Sequence, residues 1–144
     1  MEIFDGDSDG VYELVQFDSC FRYFMEDCGS CSPEPRAYFR YDAREGLYKP
    51  TKGIVQDFVK EQMASTERWI EVEYRRSTHD VNAVSGPGLQ RSLLSHVVDL
   101  IYIGEEAKAW RLFGKYADDS DGAVRREIKK TLKACKFYKL MRRS

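Results

Sequence analysis

The segment LQRSLLSHVVDLIYI, residues 89–103, is the longest nearly apolar stretch of this 144-residue chain. Within Leu93–Ile103, three polar side chains interrupt the apolar run: Ser95, His96 and Asp99. A helix that is apolar on almost every side is usually buried, and this one is too short to cross a bilayer. We therefore predict a buried helix over residues 89–103, around which the rest of the chain packs.

Two further segments downstream have the spacing of amphipathic helices. Residues 105–117 form an inner face from Ala109, Trp110, Phe113, Tyr116 and Ala117. Residues 124–143 form another from Val124, Ile128, Leu132, Cys135 and Tyr138. The acidic stretch between them is expected to cap the second helix through Asp119 or Ser120. The sequence thus predicts a C-terminal half of three helices.

Upstream of the apolar segment, residues 77–88 lack periodicity and end in Gly-Pro-Gly, which predicts a linker or long loop. The preceding decapeptide ERWIEVEYRR, residues 67–76, alternates apolar and polar side chains and predicts a strand. Residues 53–65 carry apolar side chains at helical spacing. A helix followed by a strand is therefore expected before the linker.

The N-terminal part of the chain predicts short strands at residues 11–17, 37–42 and 47–50. Between the first two, residues 18–28 have helical spacing, with Asp18 as a plausible N-cap. One continuous helix over both the first strand and this segment is the alternative.

These segments predict an α+β fold, with a small mixed N-terminal half of a few short strands and two helices, and a three-helix C-terminal half. Hydrophobic residues make up 42% of the chain, which is enough for one core. We expect a single domain over residues 1–144, or two lobes hinged near 77–88.

The acidic stretch DGDSDG, residues 5–10, resembles the DxDxDG calcium loop that EF-hands, dockerins and FG-GAP repeats share. The ligands implied by this resemblance are Asp5, Asp7, Asp9, the carbonyl of Val11, and Glu13. The twelfth loop position is Gln16, which cannot supply a bidentate carboxylate. The alternative is an acidic turn before the first packed element.

Four cysteines are present, namely Cys20, Cys28, Cys31 and Cys135. In a reducing compartment they would stay thiols, and in an oxidising one they could form disulfides. The Cys28-Gly-Ser-Cys31 motif does not open a helix after a strand, as a redox motif would, and a zinc site would need two more ligands. Both the thiol and the disulfide states stay open.

Basic residues are concentrated at the C-terminal end of the sequence. Residues 124–144 contain nine Lys or Arg and one acid, a formal charge of +8, which leaves −9 on the rest of a chain with net charge −1. Such a helix suits an acidic protein partner or nucleic acid, or is an ordinary solvated face. The predicted partner-binding residues are Arg125, Arg126, Lys129, Lys130 and Lys133.

Enzymatic function is not predicted, because the chain has neither a GxSxG motif nor a P-loop. His96 and Asp99 lie one helical turn apart, but a core-edge histidine with a hydrogen-bond partner explains this spacing as well. We therefore predict a non-enzymatic interaction protein, such as an inhibitor, immunity protein or adaptor, that binds an acidic protein partner.

Two alternatives remain. One is a calcium-binding exported or periplasmic protein that uses the N-terminal loop, and the other is a nucleic-acid binder that uses the basic helix. The expected cofactor is none, or calcium. The N-terminus lacks the features of a signal peptide, so the chain as written is expected in the cytoplasm, or in the periplasm or outside the cell if a signal was removed.

Overall fold

The structure is a computed structural model that describes residues 1–6, 8–26, 32–52, 55–79, 87–120 and 122–143. Its strands are β1 (Glu2–Phe4), β2 (Glu13–Phe17), β3 (Arg36–Asp42) and β4 (Leu47–Pro50). Its helices are α1 (Val55–His79), α2 (Pro87–Tyr102), α3 (Glu106–Tyr116), α4 (Ala123–Ala134) and α5 (Lys136–Met141). A sheet in the N-terminal half and helices in the C-terminal half confirm the predicted α+β class.

The four strands form one antiparallel sheet in the order β1-β2-β3-β4. The three strands predicted in the N-terminal part of the chain, at residues 11–17, 37–42 and 47–50, correspond to β2, β3 and β4, whereas β1 was not predicted. The acidic stretch DGDSDG therefore lies in the loop that joins β1 to β2, where Phe4 pairs with Glu13.

The first half of strand β3 is buried on both faces of the sheet. Consecutive residues of a strand point to opposite faces, and both Ala37 and Tyr38 are almost completely buried. On the face of Tyr38, α2 is held to the strand because Asp99 accepts hydrogen bonds from Arg36. On the opposite face, the ring of Phe39 packs edge-on against Phe137 of α5, with the centroids 5.9 Å apart. The sheet thus lies between α2 and α5.

Helix α2 is at the centre of the core, as the apolar segment predicts. Its buried apolar residues lie on several sides of the helix and include Leu93, Val97, Val98, Leu100, Ile101 and Tyr102. The helix ends at Tyr102, and Gly104, two residues later, adopts a φ of 90° that other residues rarely tolerate. The chain then reverses into α3, so that α2 and α3 form a helical hairpin.

The predicted strand over residues 67–76 is wrong, because these residues lie within the 25-residue helix α1. The alternation of apolar and polar residues in this segment arises by chance, because some of its apolar side chains are exposed on the helix surface. Trp69 and Val72 are 44% and 58% exposed, whereas Ile70 is 1% exposed and lies one helical turn from Glu67. Ion pairs between Glu71 and Arg75, at 2.6 Å, support the helix at a spacing of four residues.

The predicted helix over residues 18–28 is also wrong. Its described part consists of two short 3₁₀ turns, Ser19–Phe21 and Phe24–Glu26. Tyr23 and Met25 adopt positive φ angles of 60° and 52°, which a continuous right-handed helix does not allow. Asp18 does cap the first turn, as predicted, since its carboxylate accepts the amide N–H of Cys20.

The third C-terminal helix is interrupted, so the described part of the chain from residue 87 onward contains four helices rather than three. Cys135 has an extended conformation, with a ψ of 124°, and separates α4 from α5. The amide of Phe137 donates to the carboxylate of Asp18 instead of continuing the helical hydrogen bonds. The break thus coincides with a contact to the opposite end of the chain.

Residues of both halves belong to the same cluster of buried side chains, which includes Val15, Tyr38, Leu93 and Ile128. The single domain and the two hinged lobes both stay predictions, and residues 80–86 of the predicted hinge lie outside the described residues. Among the helices that the structure describes, none is long and apolar enough to traverse a lipid bilayer.

Candidate functional site

A basic surface runs along α4 and α5. It comprises nine exposed cationic residues: Arg125, Arg126, Lys129, Lys130, Lys133, Lys136, Lys139, Arg142 and Arg143. The inner stripe of the same helices, including Ile128, Leu132 and Tyr138, is buried. All five predicted partner-binding residues belong to this basic surface, because the amphipathic spacing turns the apolar positions inward and the charges outward.

Trp110 of α3 holds two of these side chains in place. The guanidinium carbon of Arg125 is 4.8 Å from the centroid of the indole ring, and the ammonium of Lys129 is 5.4 Å from it. The indole N–H donates to Glu106, which fixes the orientation of the ring. Cations over an aromatic face are attracted by its quadrupole, so one edge of the basic surface is partly ordered.

The start of α4 is fixed by Asp119, one of the two predicted caps. Its carboxylate accepts the amide N–H groups of Val124, at 2.9 Å, and Arg125, at 3.1 Å. Further along the helix, Lys130 forms an ion pair with Glu127, the one acid of this segment. The basic surface is thus carried by a helix with a defined first turn.

The acidic loop uses its carboxylates mainly for backbone contacts. Asp5 accepts amide N–H groups from Asp9, at 3.1 Å, and Gly10, at 3.0 Å. Asp9 accepts the amide N–H of Val11 at 2.8 Å. Such bonds are typical of a tight acidic turn. Asp7 lies outside the described residues, and calcium binding by this loop stays a prediction.

Glu13 is completely buried beneath the acidic loop, and Arg40 lies beside it. One oxygen of Glu13 accepts the amide N–H of Gly6, and the other lies 4.0 Å from Nε of Arg40. Arg40 also donates to Asp9. A guanidinium from β3 therefore supplies positive charge to two of the predicted calcium ligands.

Cys20 and Cys135 form a disulfide, with their Cα atoms 5.4 Å apart. Together with Asp18, these residues are the one group of potential metal ligands within 4.8 Å of one another in the described part of the chain. Their sulfurs are bonded to each other and cannot act as thiolates. Cys28 and Cys31 lie outside the described residues.

Asp18 links three elements beside this disulfide. It is 6% exposed, and its second carboxylate oxygen accepts the hydroxyl of Tyr102, at 2.9 Å, and the amide of Phe137, at 3.2 Å. Burial raises the pKa of Tyr102, so its hydroxyl stays protonated and able to donate. The end of β2, the end of α2 and the start of α5 therefore meet at one carboxylate.

A polar cleft of about 750 Å³ lies where α1, α2 and the start of β3 converge. Its charged and titratable lining residues are Arg36, Arg91, His96 and Asp99. Hydroxyl and amide groups are contributed by Gln62, Ser65, Thr66, Ser92 and Ser95. The residues of α2 that line it follow helical spacing and share one face.

His96 is 3% exposed and forms a contact across the helices. Its Nε2 is 3.2 Å from the carboxylate of Glu67, which also pairs with Lys108 at 2.6 Å. Burial lowers the pKa of His96 below its ordinary value of 6.5, while the carboxylate of Glu67 opposes this change. The expected hydrogen-bond partner thus exists, but it comes from α1 rather than from Asp99.

Asp99 instead binds Arg36 of β3. Its carboxylate accepts the backbone N–H of Arg36 at 3.3 Å and a guanidinium N–H at 3.5 Å. Burial raises the pKa of Asp99, although Arg36 partly offsets this effect. His96 and Asp99 therefore have separate partners, and no serine hydroxyl of the described chain lies within hydrogen-bond distance of the imidazole.

The buried imidazole predicts a pH-dependent stability. The folded state binds a proton at His96 less readily than the unfolded chain does, so the free energy of unfolding falls as the pH falls below 6.5. We expect a melting temperature several degrees lower at about pH 5.5 than at about pH 7.5, and a smaller difference for His96→Gln. An equal difference in both proteins, measured by circular dichroism, would contradict this assignment.

Sequence reasoning did not identify the cleft as a site. The spacing of His96 and Asp99 drew attention to α2, but Arg36 and Glu67 come from elements that are distant in sequence. In addition, Glu67 was placed in a predicted strand.

This chain matches no protein-family model, no curated protein and no solved structure.

Proposed function

We propose that this chain is a non-enzymatic interaction protein that binds an acidic surface of a protein partner through the basic surface of α4 and α5. The observation that most supports this proposal is that all nine cationic side chains are exposed. Glu127 is the one acidic residue within the two helices. Charge complementarity of this kind steers association and selects partners. An inhibitor, immunity protein or adaptor would use it in this way.

Part of the basic surface is ordered before any partner binds. Arg125 and Lys129 rest on Trp110, so less side-chain entropy is lost when they contact a carboxylate. The exposed end of the surface, at Lys133 and Lys136, lacks this support. We therefore place the centre of the interface near Trp110, with the remaining cations at its rim.

Charge reversal tests this proposal. A partner is first captured with the wild-type chain, identified and purified, and its affinity is then measured directly. We expect Lys130→Glu with Lys133→Glu to weaken binding by about tenfold to a hundredfold, mainly through slower association. Both side chains lie on the solvated side of α4, so the fold should be retained.

The matched control reverses two cations elsewhere. Arg75 and Arg76 of α1 have side chains that are 69% and 72% exposed, so Arg75→Glu with Arg76→Glu changes the net charge equally. Equal weakening by both double variants would mean that net charge, not the basic surface, determines binding. Capture of nucleic acid instead of protein, with affinity falling steeply with salt, would replace this proposal with the nucleic-acid alternative.

A further inference from the structure

A second concave site, which we call the apolar pocket, is lined by the 3₁₀ turn Phe24–Glu26, by α2 and α3, and by the start of α4. Its volume of about 450 Å³ falls in the range of binding pockets. Six of its described lining residues carry large apolar side chains: Phe24, Met25, Leu93, Leu94, Phe113 and Val124. Gln90 also lines the pocket, but its amide group is bonded to the backbone of Tyr116 and Asp118. The lining therefore suits an apolar group better than a polar one.

Met25 places an adaptable side chain at the edge of the apolar pocket. It is 52% exposed, and its backbone has a φ of 52°, a conformation that residues other than Gly rarely adopt. Local strain of this kind is concentrated at functional sites such as ligand clamps. A methionine side chain is flexible and repacks around apolar groups of different shape. Phe24 and Phe113, in contrast, are buried in the core. The pocket thus combines fixed aromatic walls with an adaptable edge.

The apolar pocket is continuous with the basic surface through α3 and α4. The ring of Phe113 packs edge-on against Trp110, with the centroids 5.9 Å apart. Trp110 in turn contacts the cationic groups of Arg125 and Lys129. Val124, which lines the pocket, directly precedes Arg125 in α4. The pocket therefore lies beside the part of the basic surface that we place at the centre of the interface.

The charges around the apolar pocket determine which partner fits. Arg125 and Lys129 are exposed, so carboxylates of a partner can contact them. Asp118 also lines the pocket, which disfavours a negative charge inside it. An aromatic side chain that fills a pocket near the centre of an interface is typical of the residues that contribute most to binding. We infer that the acidic partner inserts an aromatic side chain into the apolar pocket and places its carboxylates on Arg125 and Lys129, an inference that rests on the proposed function.

Two peptide probes of equal charge test this inference. The acetylated and amidated peptides DEWED and DEAED differ only in the side chain that would enter the pocket. Each is titrated into the full chain at constant ionic strength, and binding is followed by amide NMR shifts. We expect DEWED to bind about tenfold more tightly and to shift the amides of Leu94, Phe113 and Val124. Equal affinities for the two peptides, or the absence of these shifts, would overturn the inference.

Filling the apolar pocket assigns the difference between the peptides to it. Ala117 lines the pocket in an extended conformation just after α3, so Ala117→Phe places a ring there. This variant should bind DEWED about as weakly as DEAED, and unchanged binding of DEAED would show that the fold is retained. Ala43→Phe adds the same ring to an exposed turn and should change neither affinity. Met25→Ser should weaken binding of DEWED by about threefold. If both pocket variants bind DEWED as the wild type does, the inference fails.

The charge-reversed variant separates this inference from the proposed function. Lys130→Glu with Lys133→Glu should weaken binding of both peptides by about the same factor, because both carry the same carboxylates. If it weakens neither, the basic surface is not the interface and the proposed function fails. If it weakens both, but the wild type does not prefer DEWED, the proposed function stands and the inference about the pocket fails.

Discussion

Replacing Cys20 and Cys135 together by serine is expected to lower the free energy of unfolding by about 4–5 kcal/mol. The disulfide joins residues separated by 115 positions, so its loss releases a long loop in the unfolded chain. Loop-closure entropy grows with loop length, which places this bond near the upper end of the usual range. The melting temperature should fall by about 10 °C or more.

Chemical denaturation of the oxidised proteins measures this effect. Cys28→Ser with Cys31→Ser is the matched control, because it removes two cysteines and keeps the long-range bond. Adding a reductant should destabilise the control variant, in which Cys20–Cys135 is the one bond that the reductant can break. If reduction has no effect on the control variant, the bond does not contribute to stability as we expect.

Asp18→Ala is the second substitution with a large expected effect, a loss of about 3–5 kcal/mol. The buried carboxylate accepts three donors, from Cys20, Tyr102 and Phe137. Its removal leaves these groups without an acceptor in a region from which water is excluded. A buried donor left without an acceptor costs more free energy than an intact hydrogen bond contributes. The loss of stability is therefore larger than the net contribution of the three hydrogen bonds.

Asp42→Ala provides the comparison. Asp42 also accepts backbone amides, from Arg44 and Glu45, but in an exposed turn where water replaces it. We expect its loss to cost about 1 kcal/mol or less. Similar denaturation midpoints for the Asp18 and Asp42 variants would contradict the linking role of Asp18. Combining Asp18→Ala with the cysteine substitutions should cost less than the sum, because both act on the same contact.

The sequence was most informative for elements whose type and burial follow from their own residues, without knowledge of what packs against them. The apolar segment at residues 89–103 needs no partner to indicate burial, and α2 lies in the core as predicted. The strands at residues 37–42 and 47–50 have alternating side chains and a turn between them, so local rules suffice. The basic surface follows from helical spacing for the same reason.

Sequence periodicity predicted the wrong element where the period of a strand and the period of a helix both fit the same residues. The decapeptide at 67–76 alternates as a strand does, but Glu67, Ile70 and Tyr74 also follow the spacing of a helical face. Tyr74 packs against Tyr116 of α3, with the ring centroids 4.9 Å apart, which selects the helix. The absence of Gly and Pro from residue 55 to residue 85, together with charge pairs four residues apart, was the signal in the sequence that favours the helix.

The contacts around Asp18 could not be derived from spacing. Cys20, Tyr102 and Cys135 are brought together by the packing of three elements, and the pairing of four cysteines has several solutions in sequence alone. The same holds for the cleft, where Arg36 and Asp99 meet across 63 positions. Long-range contacts of this kind depend on the whole fold rather than on any one segment.

The disulfide also determines how the molecule would respond to mechanical force. Tension applied to the chain on either side of residues 20 and 135 passes directly through the sulfur–sulfur bond. Strands β3 and β4 and helices α1 to α4 lie between these residues and bear no load. Of the described strands and helices, β1, β2 and α5 lie outside this loop and can be pulled out. Most of the fold, including the polar cleft, would therefore keep its shape under a pull that unravels the flanks.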